Sequence, residues 1–283
     1  MNIHFNCKKN KKSLDERTVY KVRVGSHMYG LDNSKSDIDY LSIYIKTDEE
    51  SDSFLWEHHQ LQYKENSIDY NYTDLQTFIR NILTGDSTIN FEVLYATDLK
   101  SSELSWLAKY RFDFINYNVI KSYLGLAKRD LKIWKSTTKN GNYSNAESDK
   151  KLSHFLRGVI TARMLLDNKY TTNFKKSSTF DNENDFEILY MSKSGALNSL
   201  STIVMQYESY MFEMREELND KLNDGGIHKH GSVSFLKKLD IELKCFLKKK
   251  RVEFHIKKNL ELNFDDKLYD ILENGIKYTK TSK

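Results

Sequence analysis

Two aspartates, Asp37 and Asp39, stand two positions apart where an apolar run begins, and Ser26 of a Gly-Ser pair lies eleven residues before the first of them. Apolar residues alternate through residues 40–45, which predicts a β-strand. Alternate residues of a strand point to the same face, so the two carboxylates lie side by side. Two like charges this close repel strongly unless a divalent cation lies between them. The pattern therefore predicts a strand that begins with a metal-binding acidic pair.

The Gly25-Ser26 pair follows a short extended segment over residues 19–24. Glycine allows backbone N–H groups to turn toward a ligand, and the serine hydroxyl adds another donor. Such a turn is suited to bind phosphate. The pair and the two aspartates together predict phosphate and metal chemistry at one place.

The order of these motifs, Gly-Ser, a short helix and then Asp-x-Asp on a strand, resembles that of the DNA polymerase β-like nucleotidyltransferase superfamily. The longer string over residues 25–40 is similar to the RNA-ligase-associated branch of predicted nucleotidyltransferases in bacteria and phages. The resemblance implies an α+β fold with a polymerase β-like core, a mixed sheet flanked by helices. The chain departs from the family pattern at Leu41 and Ser42, where an arginine and a glycine are usual, so a basic contact near the site is in question.

The character of the chain changes near residue 100. Before that point, short strand-like runs precede a helical pattern over residues 73–84, and after it long helical patterns dominate. The strand-like runs span residues 40–45, 55–63 and 67–70, and the long helical patterns span residues 117–135, 147–168 and 196–223. We therefore expect a nucleotidyltransferase catalytic core over residues 1–100, followed by a helical domain with a basic C-terminal segment over residues 101–283.

A two-metal transferase needs a third carboxylate on a neighbouring strand, and Asp69 is the expected residue. Asp69 ends a strand-like run, and the segment after it resembles the stretch that follows the Asp pair in the RNA-ligase-associated family. Asp74 fits better as an acid in the first turn of the next helix, where the helix dipole favours it. Glu92 matches a glutamate of the family, yet a glutamate in an amphipathic segment is usually structural. Asp74 and Glu92 stay alternatives.

Lys150, His154 and Arg157 stand at positions i, i+4 and i+7, so a helix places them on one face. A basic stripe of this kind is usually only solvated. The string Lys-x-x-x-His-x-x-Arg nevertheless resembles a recurring helix of the same family, and the resemblance implies that this face meets a nucleoside triphosphate across the cleft. Arg157 would then supply paired donors to phosphate oxygens.

Positive charge gathers toward the C-terminal end. Residues 227–283 hold 14 Lys and Arg against 8 Asp and Glu, whereas the formal net charge of the whole chain is +4. The densest part of this segment comprises Lys248, Lys249, Lys250 and Arg251. One interpretation is a footprint for the phosphate backbone of RNA or DNA. The other is the solvated face of an amphipathic helix, because apolar residues recur at helical spacing through residues 235–247.

Composition and motif content disfavour several other classes. Only Cys7 and Cys245 are present in 283 residues, so neither a disulfide framework nor a zinc site is predicted. The histidines at 58–59 and at 228 and 230 lack a third metal ligand at a suitable spacing. No P-loop or dinucleotide-binding fingerprint occurs, which disfavours a kinase or an NAD-dependent oxidoreductase. No apolar stretch approaches the ~18 residues that span a bilayer, so we expect a soluble, cytoplasmic protein without a membrane partner.

These observations predict a nucleotidyltransferase that moves an NMP from an NTP to a hydroxyl acceptor and releases pyrophosphate. Two Mg²⁺ or Mn²⁺ ions are the expected cofactors. The residues expected at the site are Asp37, Asp39 and Asp69 for metal binding and catalysis, and Gly25, Ser26, Lys150, His154 and Arg157 for the nucleotide. The expected acceptor is an RNA end, tRNA among the candidates. A protein hydroxyl, a small alcohol such as an aminoglycoside, or a regulatory module that has lost turnover stays open.

Overall fold

The computed structural model describes residues 11–34, 36–52, 61–139, 146–176, 179–180, 184–195 and 201–255. These residues cluster into two compact units. The first lies within Met1–Tyr44 and His58–Leu236, and the second within Ile45–Glu57 and Lys237–Lys283. The β-sheet and the long helices between residues 117 and 223 belong to the first unit. The boundary expected near residue 100 stays a proposal about how the chain is organised.

Strands lie early in the chain, and helices dominate the rest. The strands are β1 (Thr18–Val24), β2 (Ile38–Tyr44), β3 (Leu61–Glu65) and β4 (Ile68–Asp74). The α-helices are α1 (Lys11–Glu16), α2 (Asp48–Asp52), α3 (Leu75–Thr84), α4 (Thr88–Val93), α5 (Ser105–Ala108), α6 (Tyr117–Lys139), α7 (Ala146–Leu166), α8 (Asp185–Lys193) and α9 (Ser201–Asn223). Shorter 3₁₀ helices span Gly25–Tyr29, Leu99–Ser101 and Phe174–Lys176, and residues 233–255 are also helical. In the part of the chain that the structure describes, no helix has the length and apolarity needed to cross a membrane.

The strands form one mixed sheet in the order β1-β2-β4-β3. β2 pairs antiparallel with β1 and parallel with β4, and β3 pairs antiparallel with β4. The β3–β4 hairpin turns at Asn66 and Ser67, whose φ angles of 47° and 65° suit a tight two-residue connection. Because β2 and β4 are parallel, both strands begin at the same edge of the sheet. This mixed sheet with its flanking helices confirms the α+β fold predicted from the sequence.

Alternation along β2 divides the sheet into two faces. The set that includes Leu41 and Ile43 is buried, as is Val22 on β1, the partner of Leu41. α3 packs against β2 and β4, and α4 packs against β1. On the opposite face, α1 covers the end where β2 and β4 finish, because Leu14 packs there with Tyr44 and Tyr72.

The helices after residue 100 pack around α7, which runs along α6 and also contacts α8 and α9. Gly158 allows α7 to approach α6 closely. A Cβ built on Gly158 would lie 3.0 Å from the Cβ of Ala127 and 3.2 Å from the carbonyl oxygen of Tyr123. The interface is apolar, with Ile120 of α6 and Phe155 of α7 fully buried. The helical region expected after the catalytic core is thereby confirmed.

The helix α3 has a defined signal at each end. Asp74 is the N-cap residue and accepts a hydrogen bond from the backbone N–H of Thr77 at 3.0 Å, the arrangement that favours an acid at a helix start. Gly85 follows the last residue with a φ of 72°. A Cβ built on Gly85 would lie 2.5 Å from the carbonyl oxygen of Asn118. This position requires glycine both for its backbone angle and for space.

We expect Gly85→Ala to destabilise the protein by more than about 1 kcal/mol, because alanine is strained at this φ and its Cβ has no room beside α6. The matched control is Gly125→Ala within α6, where a Cβ would meet nothing within 4 Å. Alanine there should stabilise the protein by about 0.5–1 kcal/mol through helix propensity. Urea unfolding measures both changes. A Gly85→Ala protein as stable as the wild type would contradict this account of the turn.

Candidate active site

Three aspartates lie at the edge of the sheet where β2 and β4 begin. Asp37 directly precedes β2, Asp39 is the second residue of β2, and Asp69 is the second residue of β4. The parallel register pairs Asp39 with Asp69. Neighbouring strands lie about 4.8 Å apart, so these two carboxylates project from adjacent positions on one face. The structure thus places the three carboxylates expected at the metal site next to one another.

The charges of the three carboxylates act on one another. Burial raises the pKa of Asp39, and the charges of Asp69 and Asp37 raise it further. Lys150 and His27 act on Asp39 in the opposite direction. Burial and the two neighbouring carboxylates together thus disfavour the charged form of Asp39. A hard divalent cation with oxygen ligands fits such a cluster.

The cluster is open. Asp69 lies 3.3 Å from the Nζ of Lys64, its partner on β3, but both side chains are largely exposed and the pair contributes little. Within the described ranges, no three His, Cys, Asp or Glu side chains are arranged to hold a metal ion by themselves. A cation between the aspartates would take its remaining ligands from water and phosphate oxygens, as Mg²⁺ commonly does. The donor set fits Mg²⁺ or Mn²⁺ and does not fit a closed zinc site.

The 3₁₀ turn Gly25–Tyr29 lies directly beside Asp39. β1 delivers the turn to this place, because Val24 at the end of β1 pairs with Asp39. Gly25 has a φ of 72°, and a Cβ built on it would lie 3.3 Å from Oδ2 of Asp39. Glycine therefore provides both the left-handed backbone angle and the space next to the carboxylate. Ser26 follows, and its carbonyl accepts a hydrogen bond from the N–H of Leu31 at 3.0 Å, which closes the turn.

Two lysines of the helical region approach the acidic cluster. Lys150 on α7 is exposed, and its charge lowers the pKa of Asp39. Lys193 at the end of α8 donates hydrogen bonds to the carbonyl oxygen of Leu31 at 2.7 Å and to Oγ of Ser36 at 3.3 Å. Burial lowers the pKa of Lys193, and the charge of Lys150 lowers it further. Sequence reasoning missed Lys193, because it belongs to no motif and only tertiary contacts place it at the loop that enters β2.

A buried hydrogen-bond network joins the turn to α7. Glu92 is 2% exposed and accepts hydrogen bonds from the hydroxyl of Tyr123 at 3.0 Å, from Nη1 of Arg157 at 3.2 Å and from the hydroxyl of Tyr29. The Arg157 guanidinium also lies 4.5 Å from the centre of the Tyr29 ring. Glu92 is thus occupied as a structural anion. The Arg157 side chain is 25% exposed.

His154 lies between Lys150 and Arg157 on α7. Its Nδ1 is 3.8 Å from Oδ2 of Asp130. Burial and the charge of Arg157 lower the pKa of His154 to about 4, although Asp130 acts in the opposite direction. The imidazole is therefore neutral at pH 7, with one nitrogen that donates and one that accepts a hydrogen bond.

The basic C-terminal residues lie in the second unit and are partly paired. Nζ of Lys250 lies 2.5 Å from Oε2 of Glu253, and Nη1 of Arg251 lies 2.8 Å from Oδ1 of Asp48. The two exposed members of the run are Lys248 and Lys249. Nζ of Lys249 lies 3.8 Å from Oε1 of Glu253, so among the described residues only Lys248 of the four has no carboxylate within ion-pair distance.

Among the described residues, the remaining candidates from the sequence contribute no metal site. His230 contacts the side-chain amide of Asn118 at 2.9 Å, and His228 is exposed. Cys245 is a free, exposed thiol. Cys7 and the histidines at 58–59 lie outside the described residues.

A family match accompanies this geometry. A sequence model described as the RNA repair pathway DNA polymerase beta family, RlaP, matches residues 3–179, more than half of the chain. Among solved structures, the chain is similar to a nucleotidyltransferase-like protein from Exiguobacterium sibiricum 255-15, with 13% sequence identity, a TM-score of 0.29, and coverage of 74% of this chain and 71% of that chain. No curated protein matches the chain. The segment matched by the family contains the three aspartates, the turn and α7, whereas Lys193 lies beyond it.

The lowered pKa of His154 predicts a loss of stability in acid. A histidine whose pKa falls from 6.5 to about 4 on folding binds fewer protons in the folded state, so the free energy of unfolding decreases as the pH drops through this interval. In His154→Gln this contribution is absent, and the variant should lose less stability than the wild type between about pH 7.5 and about pH 5. Thermal unfolding at both pH values provides the measurement. Equal acid losses in the two proteins would show that His154 is not held neutral by the fold.

Proposed function

Because the chain belongs to the RNA repair pathway DNA polymerase beta family, we propose that it transfers a nucleoside monophosphate from an NTP to a hydroxyl group at an RNA end and releases pyrophosphate. Membership makes the protein a nucleotidyltransferase. One observation carries the finer proposal: the parallel register pairs Asp39 with Asp69, next to Asp37 and against Gly25.

Asp37, Asp39 and Asp69 are the residues that would hold two Mg²⁺ or Mn²⁺ ions at the open cluster. Ions of this kind, when bound, lower the pKa of an acceptor hydroxyl and neutralise charge that develops on the transferred phosphoryl group. The protein contributes the placement of three carboxylates at two adjacent strand starts. It also contributes their charge, which is complete only above the raised pKa of Asp39.

The triphosphate would bind between the turn and α7. Gly25 and Ser26 would direct backbone N–H groups and a hydroxyl toward phosphate oxygens. Lys150 would bind a phosphate from the opposite side, a role supported by its exposure and by the effect of its charge on Asp39. Cations on one side and N–H donors on the other would hold the triphosphate in line with the acceptor.

His154 and Arg157 complete the proposed nucleotide face of α7. Neutral His154 would donate one hydrogen bond. Arg157 would present the accessible edge of its guanidinium, while Glu92 holds the other edge. Removal of Arg157 would also leave the buried Glu92 carboxylate unpaired, which costs about 3–5 kcal/mol. Arg157 is therefore a poor first choice for mutagenesis.

An RNA acceptor is supported by the description of the family, which places it in RNA repair, and by the exposed lysines at 248 and 249. We further propose a cytoplasmic location, with which the free thiol of Cys245 is compatible. The departure at Leu41 and Ser42 does not weaken the proposal. Both side chains are buried in β2, so neither position could present a basic group to a substrate without disrupting the sheet.

The acceptor separates the proposed function from its alternatives. Incubation with each labelled NTP, total RNA and Mg²⁺ has three outcomes. Label in RNA supports the proposal, and label in protein or in a small alcohol moves the acceptor to that class. Label that moves nowhere, together with retained NTP binding, favours a regulatory module without turnover.

Asp39→Asn and Asp69→Asn should each reduce label transfer by at least about 10³-fold, because each removes a carboxylate from the metal site. The matched control is Asp74→Asn, since asparagine also caps a helix and Asp74 lies at the opposite end of β4. Metal-free Asp39→Asn should be at least as stable as the wild type, because its raised pKa shows that folding disfavours the charged form. Full activity in both variants would remove the aspartates from the reaction.

Chelation tests the metal independently of mutagenesis. EDTA should abolish transfer, and Mg²⁺ or Mn²⁺ should restore it, because hard oxygen ligands prefer these ions. Restoration by Zn²⁺ alone would contradict the proposed site.

Lys150→Ala should weaken NTP binding by about 1–3 kcal/mol, the range for a hydrogen bond to a charged group. The adjacent Lys151 is the matched control, because its Nζ lies 3.6 Å from the buried Asp130 carboxylate and away from the proposed triphosphate. Isothermal titration with a non-hydrolysable NTP analogue measures both variants. Equal NTP affinities in the two variants would indicate that the basic face of α7 is only a solvated surface.

A further inference from the structure

The two aspartates that pair across β2 and β4 are each followed by a tyrosine. Tyr40 pairs with Tyr70 in the same parallel register. Because successive residues of a strand point to opposite faces, this pair lies on the other side of the sheet, at the end where the aspartates lie. The two rings stack with centroids 5.7 Å apart and planes 13° from parallel.

These tyrosines differ from those further along the same face. Tyr44 and Tyr72 are fully buried under α1, and the hydroxyl of Tyr72 donates a hydrogen bond to Asp15 at 2.7 Å. Tyr40 and Tyr70 are only half-buried, so α1 leaves this half of the face accessible. Partly exposed aromatic rings provide a surface on which nucleic-acid bases can stack.

The same half of the face is basic. Nζ of Lys21 lies 4.9 Å from the centre of the Tyr40 ring and 4.8 Å from that of Tyr70. Arg23 is the cross-strand partner of Tyr40. Lys21 and Arg23 are both exposed, and no carboxylate among the described residues forms an ion pair with either. Nζ of Lys11 also lies 3.9 Å over the Tyr70 ring, at the border with α1.

We propose that this face, defined by Tyr40, Tyr70, Lys21 and Arg23 and named here the tyrosine face, binds the single-stranded end of the acceptor RNA. The rings would stack with bases, and the two cations would bind phosphates, which is how sequence-tolerant single-strand sites are built. Charge complementarity selects a polyanion. Each tyrosine directly follows its aspartate in the chain, so an RNA end bent over the sheet edge reaches the acidic cluster. The ligand class rests on the proposed function, whereas the site itself rests on these contacts.

Fluorescence anisotropy with a labelled single-stranded RNA of about 12 nucleotides, within the range of known single-strand sites, tests the tyrosine face. Tyr40→Leu and Tyr70→Leu should each weaken binding by about 5- to 150-fold, the equivalent of one lost stacking contact. Tyr40→Phe and Tyr70→Phe keep the ring and should bind like the wild type. The matched control is Phe212→Leu, an aromatic residue of α9 that is also half-exposed. Unchanged affinity in both leucine variants would overturn the proposal.

Salt and spectroscopy separate stacking from a structural effect. Lys21→Gln should reduce the slope of log affinity against log salt by about 0.7, the value for one phosphate contact on a single strand. A 2-aminopurine base in the RNA should lose fluorescence on binding to the wild type and to the phenylalanine variants, and not on binding to the leucine variants. If the leucine variants fold poorly, a 4-thiouridine crosslink to β2 or β4 in the wild type decides the question. No crosslink there would overturn the proposal.

Transfer assays keep this inference distinct from the proposed function. Label that enters RNA in the wild type, with a raised KM for RNA and an unchanged affinity for NTP in the leucine variants, supports both. Label that enters RNA equally well in the leucine variants overturns the tyrosine face and leaves the proposed function standing. Label that enters a protein instead of RNA overturns the proposed function. The anisotropy measurement then still tests whether the tyrosine face binds RNA. If the leucine variants lose only a protein acceptor and still bind RNA, the face belongs to a protein partner and the inference is wrong.

Discussion

The parallel pairing of β2 with β4 is the constraint on which the acidic site depends. It sets Asp39 opposite Asp69, where two carboxylates repel at the distance between adjacent strands. The fold tolerates this repulsion because Leu41 and Ile43 on the same strand are buried and fix the register. A slip of one residue would move those apolar side chains to the other face. The register that buries these apolar residues therefore also keeps two carboxylates close together. A bound cation would relieve the repulsion between them.

Two sets of contacts hold the helical region against this sheet edge. The carboxylate of Glu92 binds the hydroxyl of Tyr29 from the turn and the guanidinium of Arg157 from α7, so the turn and the helix share one buried anion. Lys193 binds the loop between the turn and β2 through the carbonyl of Leu31. Buried charged hydrogen bonds of this kind fix geometry because a partner that moves leaves a desolvated charge unpaired. Proposed phosphate-binding groups on two different elements are thereby held at a set separation.

The sequence predicted the parts of this site that depend on local pattern. Apolar alternation after Asp39 predicted β2, the motif order predicted the family, and an amphipathic run with Asp74 near its beginning predicted α3. Strand ends were less accurate: the helical pattern was expected from residue 73, whereas β4 continues to Asp74, because its last residues are held by pairing with β2. Lys193 could not be predicted, since its partner Leu31 is remote in sequence. The hydrogen bond from Arg157 to Glu92 could not be predicted for the same reason. Periodicity indicates which residues share a helix face, but it does not indicate which residues that face contacts.

The arrangement of charged residues explains how one edge of the sheet could bind both a metal ion and a triphosphate. Burial raises the pKa of Asp39, and the charges of Asp69 and Asp37 raise it further. Three carboxylates alone would also repel a nucleotide. Lys150 and Lys193 approach from the helices. The charge of Lys150 lowers the pKa of Asp39 and that of Lys193, and within the described residues neither lysine forms an ion pair with the three aspartates. Had either lysine bonded directly to Asp39, it would have cancelled one negative charge of the cluster, which would then attract a cation less strongly. Because Lys150 and Lys193 stand apart from the carboxylates, the acidic pair could bind a divalent ion. The two lysines could then interact with the phosphates that coordinate such an ion. The fold thus holds the aspartates and the lysines apart, so that groups of opposite charge could act at one site.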